Sequence, residues 1–315
     1  MKRLILFLTA VIITALASAQ HLIYSTATID QAAQALKTKT YVVLLEQEQI
    51  EKTNVIYEKI QSETVVESGK KADFSEFQDN EFNKQLKFGM TTFWKATKFE
   101  FIKPEEFEQK RMDPASSFIF LYNLKTKYKE EKTYVNYLVF ALGGKAKRID
   151  KMPWVAAVPL SYGNVGPEYY TYKIPGMIQY LQYLADYVAN NPNQTKESIE
   201  KYFNKRNKEV KDYKLYVLAD DLTKSVYTNE QIEKLYPGEV VIVDQKQIEE
   251  AIKKQDPNVA YVHKAGPERT KTELAFNVKM ILTAKGGECI YIKEDEIWKK
   301  EPEGMLDKDF KALKK

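Results

Sequence analysis

The side chains able to do chemistry are few and scattered along the chain. His21, His263 and Cys289 are its only histidines and cysteine. So sparse a set cannot supply a zinc site of ordinary spacing. A Ser-His-Asp or Cys-His arrangement would have to use His263, because His21 lies close to the start of the chain, and no G-x-S-x-G elbow accompanies it. His263 is therefore expected at a strand end on the surface. Cys289 opens the strand-like stretch CIYIK, and nothing near it in sequence marks a lowered thiol pKa, so a packed or half-buried thiol is expected. Two glycine pairs, Gly143–Gly144 in FALGGKAK and Gly286–Gly287 in TAKGGECI, could cradle phosphate. Neither sits in G-x-x-x-x-G-K-S/T or in a G-x-G-x-x-G that opens a helix. Each follows an apolar run, and the second also precedes one, which is the pattern of a hairpin turn.

Asp220 and Asp221 are the sharpest acidic pair. They end the stretch LYVL, and ligands of open α/β sheets gather at the carboxyl ends of strands. The pair is similar to the Mg-binding acids of phosphotransfer receiver domains, but AYVHKAG, the third strand, lacks the aspartate that would accept a phosphoryl group. A helix cap or solvated loop is the competing use. Glu46 is the acid at the corresponding point of the earlier stretch TYVVLLE, so no shared metal site is indicated. The aromatics Trp154, Tyr162, Tyr169, Tyr170 and Tyr172 lie in MPWVAAVPLSYGNVGPEYYTYKIPG, rich in Pro and Gly, which reads as an ordered loop. Their amphipathic rings suit a partner surface or stacking on sugars. The competing use is to cover a seam between domains.

The elements that must position these residues recur. Asp113–Pro114 precedes SSFIFLY and Asp256–Pro257 precedes NVAYVHK, and each proline stands 29 positions before its glycine pair. KFEFIKPEEFEQKRMDP parallels EVVIVDQKQIEEAIKKQDP, a strand followed by a short acidic helix stopped by the DP dipeptide. TYVVLLE from Thr40 parallels KLYVLAD from Lys214, at a larger offset that implies an insertion at about 47–74. The fold class is α/β: two tandem related subdomains of two-layer or three-layer-like build, β-α-β-α-β-β each, joined by a helical connector. Thr228 with Gln231 and Asp244 with Gln247 form expected capping boxes, and Phe74, Phe77, Phe82 and Leu86 can line one helical face. The strand, helix, strand, short-helix order is similar to small envelope α/β domains such as the N-terminal domain of TolB. That resemblance is one of pattern and carries over no residues.

MKRLILFLTAVIITALASAQ has the build of a secretory signal peptide cleaved after Ala19, with Lys2 and Arg3 before an apolar run and an A-x-A ending. The expected organisation is a signal peptide at 1–19, a first repeat at 20–150, the aromatic loop and two connector helices at 151–211, a second repeat at 212–293 and a charged tail at 294–315. Lys+Arg 48 against Asp+Glu 44 is a balance that argues against nucleic acid as partner. No later run is apolar enough to be an integral membrane segment. These features lead to the expectation of an exported, periplasmic or extracellular, non-enzymatic binding or assembly protein of a bacterial envelope, whose partner is an envelope protein or a small ligand or glycan. No cofactor or metal is implied. The alternative is a hydrolase using the acids near Asp220 and Asp221, which would need a pocket where they meet a third polar group.

Overall fold

The computed structural model of the chain describes residues 24–45, 81–128, 131–163, 165–192, 194–266, 274–298 and 304–314. The expected leader, His21, Phe74, Phe77, Glu46 and the expected insertion at 47–74 lie outside them. The fold is α/β in two similar halves, each carrying a five-stranded mixed sheet. The first half runs α1 (Ile29–Ala35), β1 (Lys39–Val43), α2 (Glu81–Phe93), β2 (Phe99–Ile102), α3 (Pro104–Lys110), β3 (Ser116–Tyr128), β4 (Glu131–Leu142) and β5 (Trp154–Tyr162). The connector helices are α4 (Ile174–Asn190) and α5 (Lys196–Asn204). The second half runs β6 (Lys214–Val217), α6 (Asn229–Glu233), β7 (Val240–Ile242), α7 (Gln245–Lys254), β8 (Val259–Ala265), β9 (Leu274–Thr283), β10 (Cys289–Trp298) and α8 (Asp307–Lys314). The sheet orders are β2-β1-β3-β4-β5 and β10-β9-β8-β6-β7. In each, three parallel strands built by crossover helices are extended by two antiparallel ones.

Local chemistry sets the element ends. The Thr228 and Asp244 side chains accept from the N–H groups of Gln231 and Gln247, and both glutamines return the bond, so α6 and α7 open on complete capping boxes. Pro104 takes the first turn of α3, where its missing N–H costs nothing. The two DP turns are the same structure used twice. Asp113 Oδ1 accepts from Ala115 N and Asp256 Oδ1 from Asn258 N, both at 2.9 Å, before β3 and β8 begin.

The structure corrects the sequence reading in several places. The first half has a further strand, β5, in the place that β10 takes in the second, so WVAAVPLSY is not a loop. All nine residues of β5 are buried. Pro159 is tolerated because β5 lies at the edge of its hydrogen-bonded sheet. That edge is covered: Ala157 N donates to Tyr24 O at 2.7 Å and Thr26 N to Trp154 O at 2.8 Å. The glycine pairs are not equivalent either. Gly143 N donates to Ser116 O and Ala284 N to Val259 O, so Gly143 matches Ala284 and the dipeptides are out of step by two residues. Gly286 and Gly287 form the β9–β10 turn with φ of +85° and +61°. Gly143 instead permits backbone approach, since a Cβ there would lie 2.2 Å from Asp113 O. The pairing of β1 with β3 and of β6 with β8 also sets Lys39, not Thr40, against Lys214.

The charged tail belongs to the second half. In α8, Phe310 and Leu313 are buried with Met305 against the outer face of the second sheet. The fully buried Lys279 is paired there with Asp309, whose carboxylate also accepts from Tyr291 Oη at 2.8 Å, Lys293 Nζ at 3.0 Å and Leu306 N at 2.8 Å. The opposite face of that sheet, through Val259, Tyr261, Val278, Met280 and Leu282, joins one continuous core with both faces of the first half and with α4. Along α4, Ile174, Met177, Ile178, Leu181, Leu184 and Val188 are buried, each such side chain contributing about 1.5–3 kcal/mol. The two halves therefore share a core through the connector. Among the described residues no helix is long and apolar enough to cross a membrane.

Candidate functional site

In the second sheet β6 lies between β7 and β8: the chain crosses from β6 outward to β7 and then returns past β6 to β8, so the connections after β6 and β8 run in opposite directions. The carboxyl ends of β6 and β8 thus flank a topological switch point, the place where an open α/β sheet leaves a crevice. A small cleft of about 40 Å³, open to solvent on one side, is found there. Leu218, Asp220 and Asp221 enter it from the end of β6, and Lys264 and Gly266 from β8. The first half and the connector close its other side: Leu160 and Ser161 from the end of β5, then Val165, Tyr169 and Lys173 before α4. Gln245, at the start of α7, completes the wall.

The turn after β6 holds the acids firmly. Asp221 O accepts from Met305 N at 2.7 Å, and Thr223 Oγ1 donates to Met305 O at 2.9 Å, so the segment before α8 pins the loop. Close approach is possible only because residue 304 is glycine: a Cβ there would stand 2.7 Å from Asp221 O. Asp221 is 5% exposed. Its Oδ1 lies 3.9 Å from Lys264 Nζ, which itself donates to Asp220 O at 3.1 Å. Its Oδ2 is buried and receives no hydrogen bond. Lys173 is 2% exposed, with its ammonium 5.2 Å from the ring centre of Tyr172. Two lysines and two aspartates therefore line one small cleft, with Asp221 and Lys173 buried and Asp220 exposed.

The structure gathers some of the residues singled out above and separates others. Asp220, Asp221 and Tyr169 come together at the cleft. The exposed aromatic patch does not form: Trp154, Tyr162, Tyr170 and Tyr172 are buried, and of the five only Tyr169, at 47%, is exposed. The buried four are core and seam residues because β5 and the turns after it are packed between the halves. Tyr162 fastens that seam, its hydroxyl donating to Phe276 O at 2.8 Å and accepting from Phe276 N at 3.0 Å.

His263 is a second correction. It is 1% exposed rather than a surface residue. Its Nε2 meets Pro159 O at 2.7 Å, and since a carbonyl can only accept, Nε2 carries the hydrogen and binds β8 to β5. Burial, then the charge of Lys173, pushes the imidazole pKa down to about 3, against the opposing pull of the Pro159 carbonyl. The ring is therefore neutral at ordinary pH. Cys289 is fully buried, donates to Tyr291 O at 3.3 Å, and burial drives its thiol far above the usual range. Lys173, Lys264 and Ser161 were missed from sequence because no local motif joins them; only the seam does. Among the described residues no three His, Cys, Asp or Glu side chains gather as metal ligands would. No protein-family model, curated protein or solved structure gives a match to this chain.

Proposed function

We propose that the protein is an exported binding component of a bacterial envelope that holds a small polar ligand in the cleft between its halves. The observation that carries this reading is Asp221, a buried carboxylate at a switch-point cleft with one oxygen left without a donor. Such an atom bears a desolvation cost that a bound N–H or O–H would offset. Tyr169, half exposed at the cleft, supplies a ring that can cover an occupant. Binding is favoured over hydrolysis even though the acids do meet other polar groups here. Hydrolysis by a hydroxyl nucleophile needs a base beside it. The Ser161 hydroxyl accepts from Asn136 Nδ2 at 3.1 Å, and His263, although its Nδ1 has no partner, has a pKa pushed down to about 3 by burial and Lys173, too weak a base to take a hydroxyl proton.

The test is a thermal-shift screen of the purified chain against amino acids, sugars, nucleosides and polyamines, with Tyr169→Ala and Asp221→Asn alongside. Compounds that raise the melting temperature of the wild type, and raise it less in both variants, support the reading. A screen with no stabilising compound, or one in which the variants respond like the wild type, refutes it.

A further inference from the structure

We infer that Lys279 and Asp309 are the partners of a self-formed amide cross-link on the outer face of the second sheet, with Asp295 as the base. The inference is independent of the cleft and of what it binds.

Strand register builds the site. Side chains two apart on a strand share a face, so Lys279 and Ile281 of β9 stand with Tyr291, Lys293 and Asp295 of β10, Lys279 directly opposite Lys293. The helix α8 brings Asp309 onto this group, with Phe310 and Leu313 of the same helix in the apolar cluster around it. Lys279 and Asp309 are both fully buried. Lys279 Nζ lies 2.5 Å from Asp309 Oδ2 and 2.5 Å from Asp295 Oδ2. That Asp295 oxygen is buried and has no other hydrogen-bond partner. Asp309 Oδ1 accepts from Tyr291 Oη at 2.8 Å and from Lys293 Nζ at 3.0 Å, and Oδ2 also accepts from Leu306 N at 2.8 Å.

These are the parts of an acyl transfer. The Lys279 ammonium passes one proton to Asp309 Oδ2 along their contact, which leaves a neutral amine against a neutral carboxylic acid. Packing holds the amine nitrogen beside Asp309 Cγ, so attack carries little further entropic cost. Charge that develops on Oδ1 is met by the Tyr291 and Lys293 donors already aimed at it. Asp295 Oδ2 takes a second proton from the nitrogen and returns it to Asp309 Oδ2, which departs as water. One C–N bond forms and one C–O bond breaks, and no oxidant, reductant or cofactor enters.

The surroundings favour the product. A buried ion pair carries a desolvation cost that its attraction does not always offset, and an amide has no charge. The amide N–H faces Asp295 Oδ2, and the amide carbonyl keeps its Tyr291 and Lys293 donors. Asp295 keeps Lys293 at 3.4 Å and Lys308 at 2.9 Å. The bond spans 30 positions and fastens α8 to β9, in a chain whose single cysteine allows no internal disulfide.

The experiment is mass spectrometry of the purified, denatured chain, intact and after protease digestion. The intact mass is expected to fall short of that set by its sequence and termini by one water, and a branched peptide joining Lys279 to Asp309 is expected to carry the loss. Lys279→Met is expected to keep its full mass. Asp295→Asn, with both bonding partners in place, is expected to form the bond about 100-fold more slowly, so freshly made chain keeps its full mass. Circular dichroism melts establish that the variants fold, and the wild-type mass decides the matter without them. A wild type of full mass overturns the cross-link and leaves an ion pair. A water lost elsewhere in the chain, or lost equally from Lys279→Met, overturns it as well. Asp295→Asn cross-linked as fast as the wild type overturns the role of Asp295.

Discussion

The adjacent glycines of the β9–β10 turn offer a matched pair of substitutions that separates backbone preference from contact across the seam. Both have positive φ, so alanine at either one costs about 1–2 kcal/mol for a left-handed conformation. They differ in what a methyl group would meet. At Gly286 the nearest atom beyond the neighbouring residues is Glu288 Cγ, at 3.8 Å, an ordinary contact. At Gly287 the methyl would stand 2.6 Å from Gln179 Cβ and 2.6 Å from Tyr180 N, on the backbone of α4. A helix whose apolar face is buried cannot yield cheaply, and overpacking of this kind adds about 1–3 kcal/mol. Gly286→Ala is thus expected to cost about 1–2 kcal/mol and Gly287→Ala roughly 2–5 kcal/mol. Urea unfolding followed by far-UV circular dichroism measures both, with the midpoint lower for Gly287→Ala and the slope unchanged. Equal midpoints, or a larger loss at Gly286, would refute the docking of this turn on α4.

The hydroxyl of Tyr162 and the ring of His263 give two further tests of the seam. Tyr162→Phe keeps the ring but removes the group that satisfies both Phe276 N and Phe276 O, so a loss of about 1–3 kcal/mol is expected in the same urea assay; no measurable loss would mean that the seam does not depend on this bond. His263 has a folded pKa of about 3 against an ordinary value near 6.5, so below the ordinary value the unfolded chain binds the proton first. Stability from neutral His263 is present above about pH 6.5 and is lost as the pH falls toward 3, at up to about 1.4 kcal/mol per pH unit. Unfolding midpoints at pH 7 and pH 5 should therefore fall further in the wild type than in His263→Gln, and parallel falls would show that this ring is not the titrating group.

The periodic and capped elements were legible in the sequence, and contacts between distant segments were not. The DP turns and the capping boxes at Thr228 and Asp244 are local chemistry, set by residues within three positions, and each stands where its residues predict. WVAAVPLSY misled because Pro159 and the lack of alternation argue against a half-exposed strand. Both signals vanish when a strand is buried on both faces and lies at a sheet edge. His263 was misplaced for a related reason. Its carbonyl partner, Pro159, lies 104 positions away in that unrecognised strand, so its burial had no local trace. Asp220 and Asp221 were legible as strand-end acids, but Lys173, which lines the same cleft from the turn before α4, was not.

Among the described residues the two halves differ at the place where the second carries its cleft. When the halves are matched through their strand pairing, β1 falls on β6 and β3 on β8. Leu45 then stands where the second half has Asp220, and Leu121 where it has Lys264. Pro104 takes the helix-start position held by Gln245. In the first half the end of β1 is also closed, because Asn83 from α2 accepts from Leu45 N at 2.9 Å and donates to Leu45 O at 2.8 Å. Among the described residues the same switch point carries leucines and a capping asparagine in one copy, and acids and a lysine in the other. The first copy contributes differently: its fifth strand and the turns before α4 form the opposite wall of the cleft in the second. A small α/β unit has a crevice but few walls, and repeating the unit supplies the missing one.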